Sequence, residues 1–136
     1  MTSPFTFGPG VNPIPLANEE PADNAVAVVT GWGTINTTSD VFPNQLQMVS
    51  VNIISRERCD SSFNEQTDIP EDMICAGVVG GGKDSCNYDS GGPLVVGGKQ
   101  VGIVSWGYGC GGARYPGIYS NVAVLREFVV NVTGID

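Results

Sequence analysis

The chain of 136 residues contains no histidine. A serine or cysteine nucleophile therefore finds no imidazole base within it. Cys-x-x-Cys pairs are absent too, so no zinc or other metal site is expected. Basic residues are scarce: six Lys and Arg stand against fourteen Asp and Glu, a formal net charge of −8. Nucleic-acid phosphates call for the opposite surface, so no nucleic-acid partner is expected. The acidity reads first as an ordinary solvated face and second as a field that steers cationic ligands. Apolar runs are short, and none approaches the length of a membrane span, so no membrane partner is expected. Met1-Thr2-Ser3-Pro4-Phe5 lacks a basic n-region and an apolar core, so this chain is read as carrying no signal peptide.

Nineteen glycines and nine prolines are plentiful by contrast, and they punctuate a chain of short apolar runs. The length is that of one domain, enough to enclose one core. Residues 2–23 are rich in Pro, Gly and Asn and read as an extended strap, because proline removes ladder donors. Strands are expected at 25–30, 46–54, 73–77, 93–96, 101–106 and 117–122, with Gly97-Gly98 turning a hairpin between the fourth and fifth. Ser55 is placed to cap a short helix through Cys59. Val124, Leu125, Phe128, Val129 and Val132 follow 3–4 spacing and predict a terminal amphipathic helix. Six short strands without alternating helices predict an all-β fold closed as an antiparallel barrel.

Four cysteines in a chain of this size point to disulfides and an oxidising compartment, and they allow three pairings. Two triplets, Asn36-Thr37-Thr38 and Asn131-Val132-Thr133, have the form of N-glycosylation acceptors, a form that also arises by chance.

The chemistry concentrates in Asp84-Ser85-Cys86-Asn87-Tyr88-Asp89-Ser90-Gly91-Gly92-Pro93. A serine followed by glycines has room for a substrate carbonyl beside it, with backbone N–H groups free to face that carbonyl. Taken alone, the stretch reads equally well as a polar turn in a disulfide protein.

Its flanks decide between these readings. Val29-Thr30-Gly31-Trp32-Gly33-Thr34 precedes it; Gly102-Ile103-Val104-Ser105-Trp106-Gly107-Tyr108-Gly109-Cys110 and Tyr115-Pro116-Gly117-Ile118-Tyr119 follow. Together these motifs resemble the trypsin/chymotrypsin family of serine proteases from about Pro4 to about Val130, and they resemble its second β-barrel alone. The resemblance implies a strap between barrels at 1–24, which without the first barrel is expected to be loosely held, and a C-terminal barrel with a terminal helix at 25–136. It implies bridges Cys59–Cys75 and Cys86–Cys110. A further bridge of many relatives falls on Ala27 and Val96, so it is absent as a pair. Ser90 is implied to be the nucleophile, with the N–H groups of Tyr88 and Ser90 as oxyanion donors. Asp84 is implied to sit at the base of the specificity pocket and to pair with substrate Arg or Lys. Ser85, Gly107 and Gly117 line that pocket, and Ser105-Trp106-Gly107 forms the edge that pairs with substrate backbone. Asp89 matches the residue that receives a newly cut N-terminal ammonium in activated relatives, a partner that belongs to the first barrel.

Two departures matter. The family's histidine and its orienting aspartate lie in the first barrel, and Lys83 and Lys99 match no serine–lysine dyad. Tyr88 replaces a glycine, and a side chain there is expected to resist left-handed geometry and to weaken the oxyanion hole. The resulting expectation is the C-terminal half of a secreted, trypsin-like endopeptidase that needs no cofactor. Its partners would be protein or peptide substrates with Arg/Lys, protease inhibitors and the missing N-terminal barrel. The alternative is a non-catalytic homologue used as a binding or regulatory module. The chain alone is expected to be inactive.

Overall fold

The computed structural model describes residues 3–38, 41–63 and 67–135. Six strands form: β1 (Val26–Gly31), β2 (Gln47–Ile54), β3 (Met73–Gly77), β4 (Pro93–Val96), β5 (Lys99–Trp106) and β6 (Gly117–Asn121). They close into an antiparallel barrel in the order β1-β2-β3-β6-β5-β4. Two helices accompany them, α1 (Arg56–Phe63) and α2 (Val122–Thr133). Closure leaves no unpaired sheet edge in the ladder, which suits strands this short.

Alternation along the strands builds the interior. Ala27, Val29, Val51, Ile53, Leu94 and Tyr119 are almost wholly removed from solvent and form one cluster. Ala27 and Val96 both pack there as apolar side chains. Gly102 in β5 is a packing requirement: a Cβ would stand 3.0 Å from Leu94 Cδ2 and 3.1 Å from Tyr119 Cβ. Gly97 and Gly98 both take positive φ, 55° and 80°, as a tight hairpin turn requires. Between β5 and β6 the register slips from Val104↔Tyr119 to Trp106↔Ile118, so Ser105 is left out of the pairing at the rim.

A second cluster gathers around the Cys59–Cys75 disulfide, with Phe63, Ile69 and Ile118 buried beside it. Helix α1 begins after Ser55, whose carbonyl receives the Cys59 N–H at 2.9 Å and whose Oγ receives the Arg58 N–H at 3.4 Å. The helix runs past the expected Cys59 to Phe63, because burial of that ring extends its apolar face. Arg56 spends its guanidinium on the carbonyls of Ile69, Pro70, Glu71 and Met73, at 2.8–3.3 Å. The segment entering β3 is held to α1 in this way.

Two expectations need correction in detail. The strap, expected to be loosely held, is tied down over its second half. Ala17 N–H donates to Gln100 O and Gln100 N–H to Pro15 O, both at 2.9 Å, and Ala17 is buried. Asp23 accepts from Ser55 N–H at 2.8 Å and from Arg58 at 2.9 Å, and these donors, Ser55 foremost, hold its carboxyl below the usual range. Only the first half, with Phe5, Phe7, Val11 and Ile14 exposed, lacks such cover. Helix α2 starts two residues before the expected stripe, capped by the buried Asn121, whose Oδ1 accepts from Ala123 and Val124 N–H. Val124, Phe128 and Val132 face solvent while Leu125 and Val129 are half-buried, so only part of the 3–4 pattern marks the packed face. A helix lying on one side of a barrel buries only the side it turns to β5 and β6.

Candidate active site

The loop 84–92 is anchored at several points, and the anchors orient its side chains. Asp89 N–H donates to Cys86 O at 3.0 Å, and Gly92 N–H donates to Asp89 O at 2.8 Å. Gly91 N–H reaches Val104 O and Val104 N–H reaches Gly92 O, both at 2.9 Å, which ties the loop to β5. Thr34 N–H donates to Asn87 O at 3.0 Å and ties it to the segment after β1. The second disulfide, Cys86–Cys110, joins the loop to the one between β5 and β6.

Asp89 turns its carboxylate towards Gly31-Trp32-Gly33. Oδ1 accepts from Gly33 N–H at 2.8 Å and Oδ2 from Cys86 N–H at 3.0 Å. Both glycines are needed there: a Cβ on Gly33 would lie 2.5 Å from the carboxylate, and one on Gly31 would overlap it. No cation pairs with Asp89 among the described residues, and the two N–H donors supply the hydrogen bonding that a half-buried carboxylate needs. A cavity of about 310 Å³ opens beside it, lined by Asp89, Asp84, Gly33 and the 34–37 segment.

Tyr88 takes φ 72°, the left-handed geometry open to glycine. The resistance expected of a tyrosine is therefore overcome here, at a local cost of about 1–2 kcal/mol. The Tyr88 ring is exposed and meets Phe42 edge-on, 4.9 Å between centroids, a contact of about 0.5–1.5 kcal/mol that offsets part of the strain. Neither Tyr88 N–H nor Ser90 N–H donates to an acceptor among the described residues, while the Asp89 N–H between them is engaged inward. Ser90 itself is exposed at the loop surface.

A pocket of about 120 Å³ brings together Asp84, Ser85, Ser90, Ser105, Trp106, Gly107 and Gly117. All the residues expected at one site meet here except Tyr88, which does not line it. Asp84 is held by two backbone donors, Ser85 N–H on Oδ1 and Gly111 N–H on Oδ2, each at 2.9 Å. Burial nevertheless pushes its pKa above the ordinary 3.8, because desolvation outweighs those bonds. Gly117 is buried against the acid: a Cβ would stand 2.6 Å from Asp84 Oδ1 and 3.2 Å from the Tyr119 ring. At Gly107 a Cβ would meet nothing nearer than 3.4 Å. The pocket thus sets a half-buried carboxylate between walls that carry no side chain at Gly107 and Gly117.

Three contributors were not singled out from the sequence. Tyr119 pairs its hydroxyl with Ser85 Oγ at 3.1 Å, and burial pushes its pKa up to about 12, with the Asp84 charge adding to the rise. Gly111 supplies a donor from 27 residues away, which no local pattern announces. Met73 Sδ accepts from Trp106 Nε1 at 3.4 Å and sets the indole over a group of rings, Phe63, Tyr108 and Tyr115. The only signal for that group is the frequency of aromatics around Trp106.

Known proteins resemble this chain in sequence and fold. The trypsin family model matches residues 1–129. Trypsin alpha of Drosophila melanogaster is 49% identical over 132 residues, which is 96% of this chain and 51% of that protein. Trypsin alpha-3 of Lucilia cuprina is 48% identical over 132 residues, 96% of this chain and 78% of that protein. The solved structure of neuropsin, a serine protease expressed in the limbic system of mouse brain, superposes with a TM-score of 0.86 at 36% identity, over 93% of this chain and 56% of that one. The chain thus spans about half the length of the first curated relatives it matches. Sequence and fold agree over nearly all of the 136 residues, and the chain belongs to the trypsin family of serine proteases.

Proposed function

We propose that this chain is the C-terminal half of a trypsin-like endopeptidase that cleaves peptide bonds after Arg or Lys, with residues 1–24 as the strap between barrels and 25–136 as the second barrel. The observation that carries the reading is Asp84, a half-buried carboxylate held by two N–H groups in a pocket that Ser90 also lines. An Arg or Lys side chain would enter between Gly107 and Gly117 and place its cation opposite Asp84. The substrate backbone would run along Ser105-Trp106-Gly107, where the bulge leaves Ser105 unpaired.

With the preceding carbonyl carbon beside Ser90 Oγ, attack forms the Oγ–C bond and moves the carbonyl electron pair onto oxygen. The unengaged N–H groups of Ser90 and Tyr88 are the donors available to that oxyanion. The serine proton must pass to a base, and this chain holds no histidine, so the base and its orienting aspartate belong to an N-terminal barrel. Collapse of the intermediate breaks the C–N bond and releases the amine, and water then frees Ser90. Protein substrates and protease inhibitors are the partners of such a site, and two disulfides fit an extracellular setting.

Tyr88 favours a second reading, a non-catalytic homologue that binds through the same pocket. A strained tyrosine with an exposed ring against Phe42 is a costly replacement for glycine in a catalytic loop. The two readings share the pocket and differ in turnover.

The test has two arms. The chain should bind p-aminobenzamidine, and Asp84→Asn should weaken binding about 10- to 100-fold, the value of one charge-assisted hydrogen bond. The chain alone should leave an Arg-amide substrate intact, whereas joined to a histidine-bearing N-terminal half it should hydrolyse that substrate, and Ser90→Ala should abolish the hydrolysis. Equal affinity in Asp84→Asn would refute the pocket assignment. An inert joined protein that still binds the amidine would favour the non-catalytic homologue.

A further inference from the structure

The proposed chemistry leaves the two glycosylation triplets unused, and their conformations differ. We propose that Asn36 is the preferred acceptor of an N-linked glycan in this chain and that Asn131 is disfavoured. Asn36, Thr37 and Thr38 are all exposed, in the loop that follows β1. Asn36 Oδ1 accepts two hydrogen bonds from the third residue of its own triplet: Thr38 N–H at 2.9 Å and Thr38 Oγ1 at 2.7 Å. Asn36 Nδ2 makes no hydrogen bond among the described residues.

That arrangement addresses the chemical difficulty of the modification. A carboxamide nitrogen is a weak nucleophile because its lone pair is shared with the carbonyl. Two donors on Oδ1 favour the form in which the negative charge rests on oxygen and Nδ2 has given up a proton. In the transfer, Nδ2 attacks the anomeric carbon of an oligosaccharide carried on a lipid diphosphate. The N–C bond forms, the bond from that carbon to diphosphate oxygen breaks, the lipid diphosphate leaves with the electron pair, and the Nδ2 proton goes to the transferase base. No oxidant or reductant is involved. The turn spans three consecutive residues, so it is available before the barrel closes.

Asn131 is equally exposed, so exposure does not separate the two. It lies within α2, where Thr133 Oγ1 donates to Val129 O at 2.7 Å and accepts from Ile135 N–H at 3.2 Å. The hydroxyl that would assist Asn131 is turned back onto the helix and its cap.

The test is to secrete the full chain from insect cells behind an export leader, release glycans with an amidase in ¹⁸O-water, and read both triplets by peptide mass spectrometry. Label at residue 36 should exceed label at residue 131 several-fold. Thr38→Ala should abolish label at Asn36, Thr38→Ser should retain it, and Asn131→Gln should leave it unchanged. The readout is on peptides and compares two sites in one chain, so it holds whether or not a variant folds well. Unlabelled Asn36, equal or greater occupancy at Asn131, or label at Asn36 surviving Thr38→Ala would each overturn the proposal.

Discussion

The two glycines that wall the pocket respond differently to the same added methyl group. At Gly117 a Cβ would stand 2.6 Å from Asp84 Oδ1, well inside contact distance, with the Tyr119 ring and hydroxyl at 3.2 and 3.3 Å behind it. Asp84 cannot yield freely, because Ser85 and Gly111 N–H hold its two oxygens at 2.9 Å each. Either the carboxylate moves and loses a hydrogen bond to a charged group, at about 1.5–3 kcal/mol, or β6 shifts against its neighbours, at about 1–3 kcal/mol. Gly117→Ala should therefore destabilise the chain by about 2 kcal/mol. At Gly107 the nearest atom to an added Cβ is Gly109 O at 3.4 Å, and the backbone φ is not positive. Gly107→Ala should change stability by less than about 1 kcal/mol and can gain slightly, because alanine restricts the unfolded chain. Urea unfolding of both variants with the disulfides intact measures this directly, and p-aminobenzamidine titration adds a second readout. Gly107→Ala should weaken binding by narrowing the entrance while the melt stays unchanged; Gly117→Ala should weaken both. Equal destabilisation by the two substitutions, or none at Gly117, would refute the argument that Asp84 is pinned against β6.

Further outcomes are expected at three residues, Asp84, Arg56 and Tyr88. Because burial raises the Asp84 pKa above 3.8, amidine affinity should fall on acidification at a higher pH than for an exposed carboxylate. The same shift sets a stability trend. The folded chain holds the Asp84 proton more tightly than the unfolded chain, so the contribution is full below 3.8 and is lost as pH rises through the folded pKa. Asp84→Asn should remove that loss, and unfolding curves across the acidic range that leave the difference between variant and parent constant would contradict it. Arg56→Lys should destabilise by about 1.5–3 kcal/mol, since an ammonium cannot reach the four carbonyls that the guanidinium bridges; a melt matching the parent would show those bonds to be dispensable. At Tyr88, glycine should be more stable than alanine by about 1 kcal/mol, because both lose the Phe42 contact but only glycine sheds the left-handed strain. In a joined, active protein Tyr88→Gly should change kcat less than tenfold, since Tyr88 already has a glycine-like φ; a gain of about 10²-fold would mean that tyrosine had turned a donor away.

Much of the scaffold is legible locally. Short apolar runs bounded by turn residues mark the six strands, Gly97-Gly98 marks the hairpin, and Ser55 marks the start of α1, because each rests on backbone preferences within a few residues. Local reasoning places only part of the packed face of α2, Leu125 and Val129. The stripe Val124, Phe128 and Val132 is as apolar as the side that packs, and only the position of the barrel decides which side is covered. The second half of the strap is misread for a similar reason: its anchors are Gln100, Arg58 and Ser55, far along the chain.

At the candidate site the division is sharper. Sequence by itself determined that Ser90 stands among glycines beside Asp89, that Asp84 shares its segment, and that no histidine is present to act as base. Those are matters of composition and order. Tertiary structure alone decided that Asp84 is half-buried and held by Gly111, that Asp89 is held by Gly33 and Cys86, and that Tyr88 accepts φ 72°. The Gly111 and Gly33 bonds depend on groups brought together by closure of the barrel and by the Cys86–Cys110 bridge, across separations of 27 and 56 residues. A pocket's charge and shape are properties of burial, and burial is set by what the rest of the chain places on top.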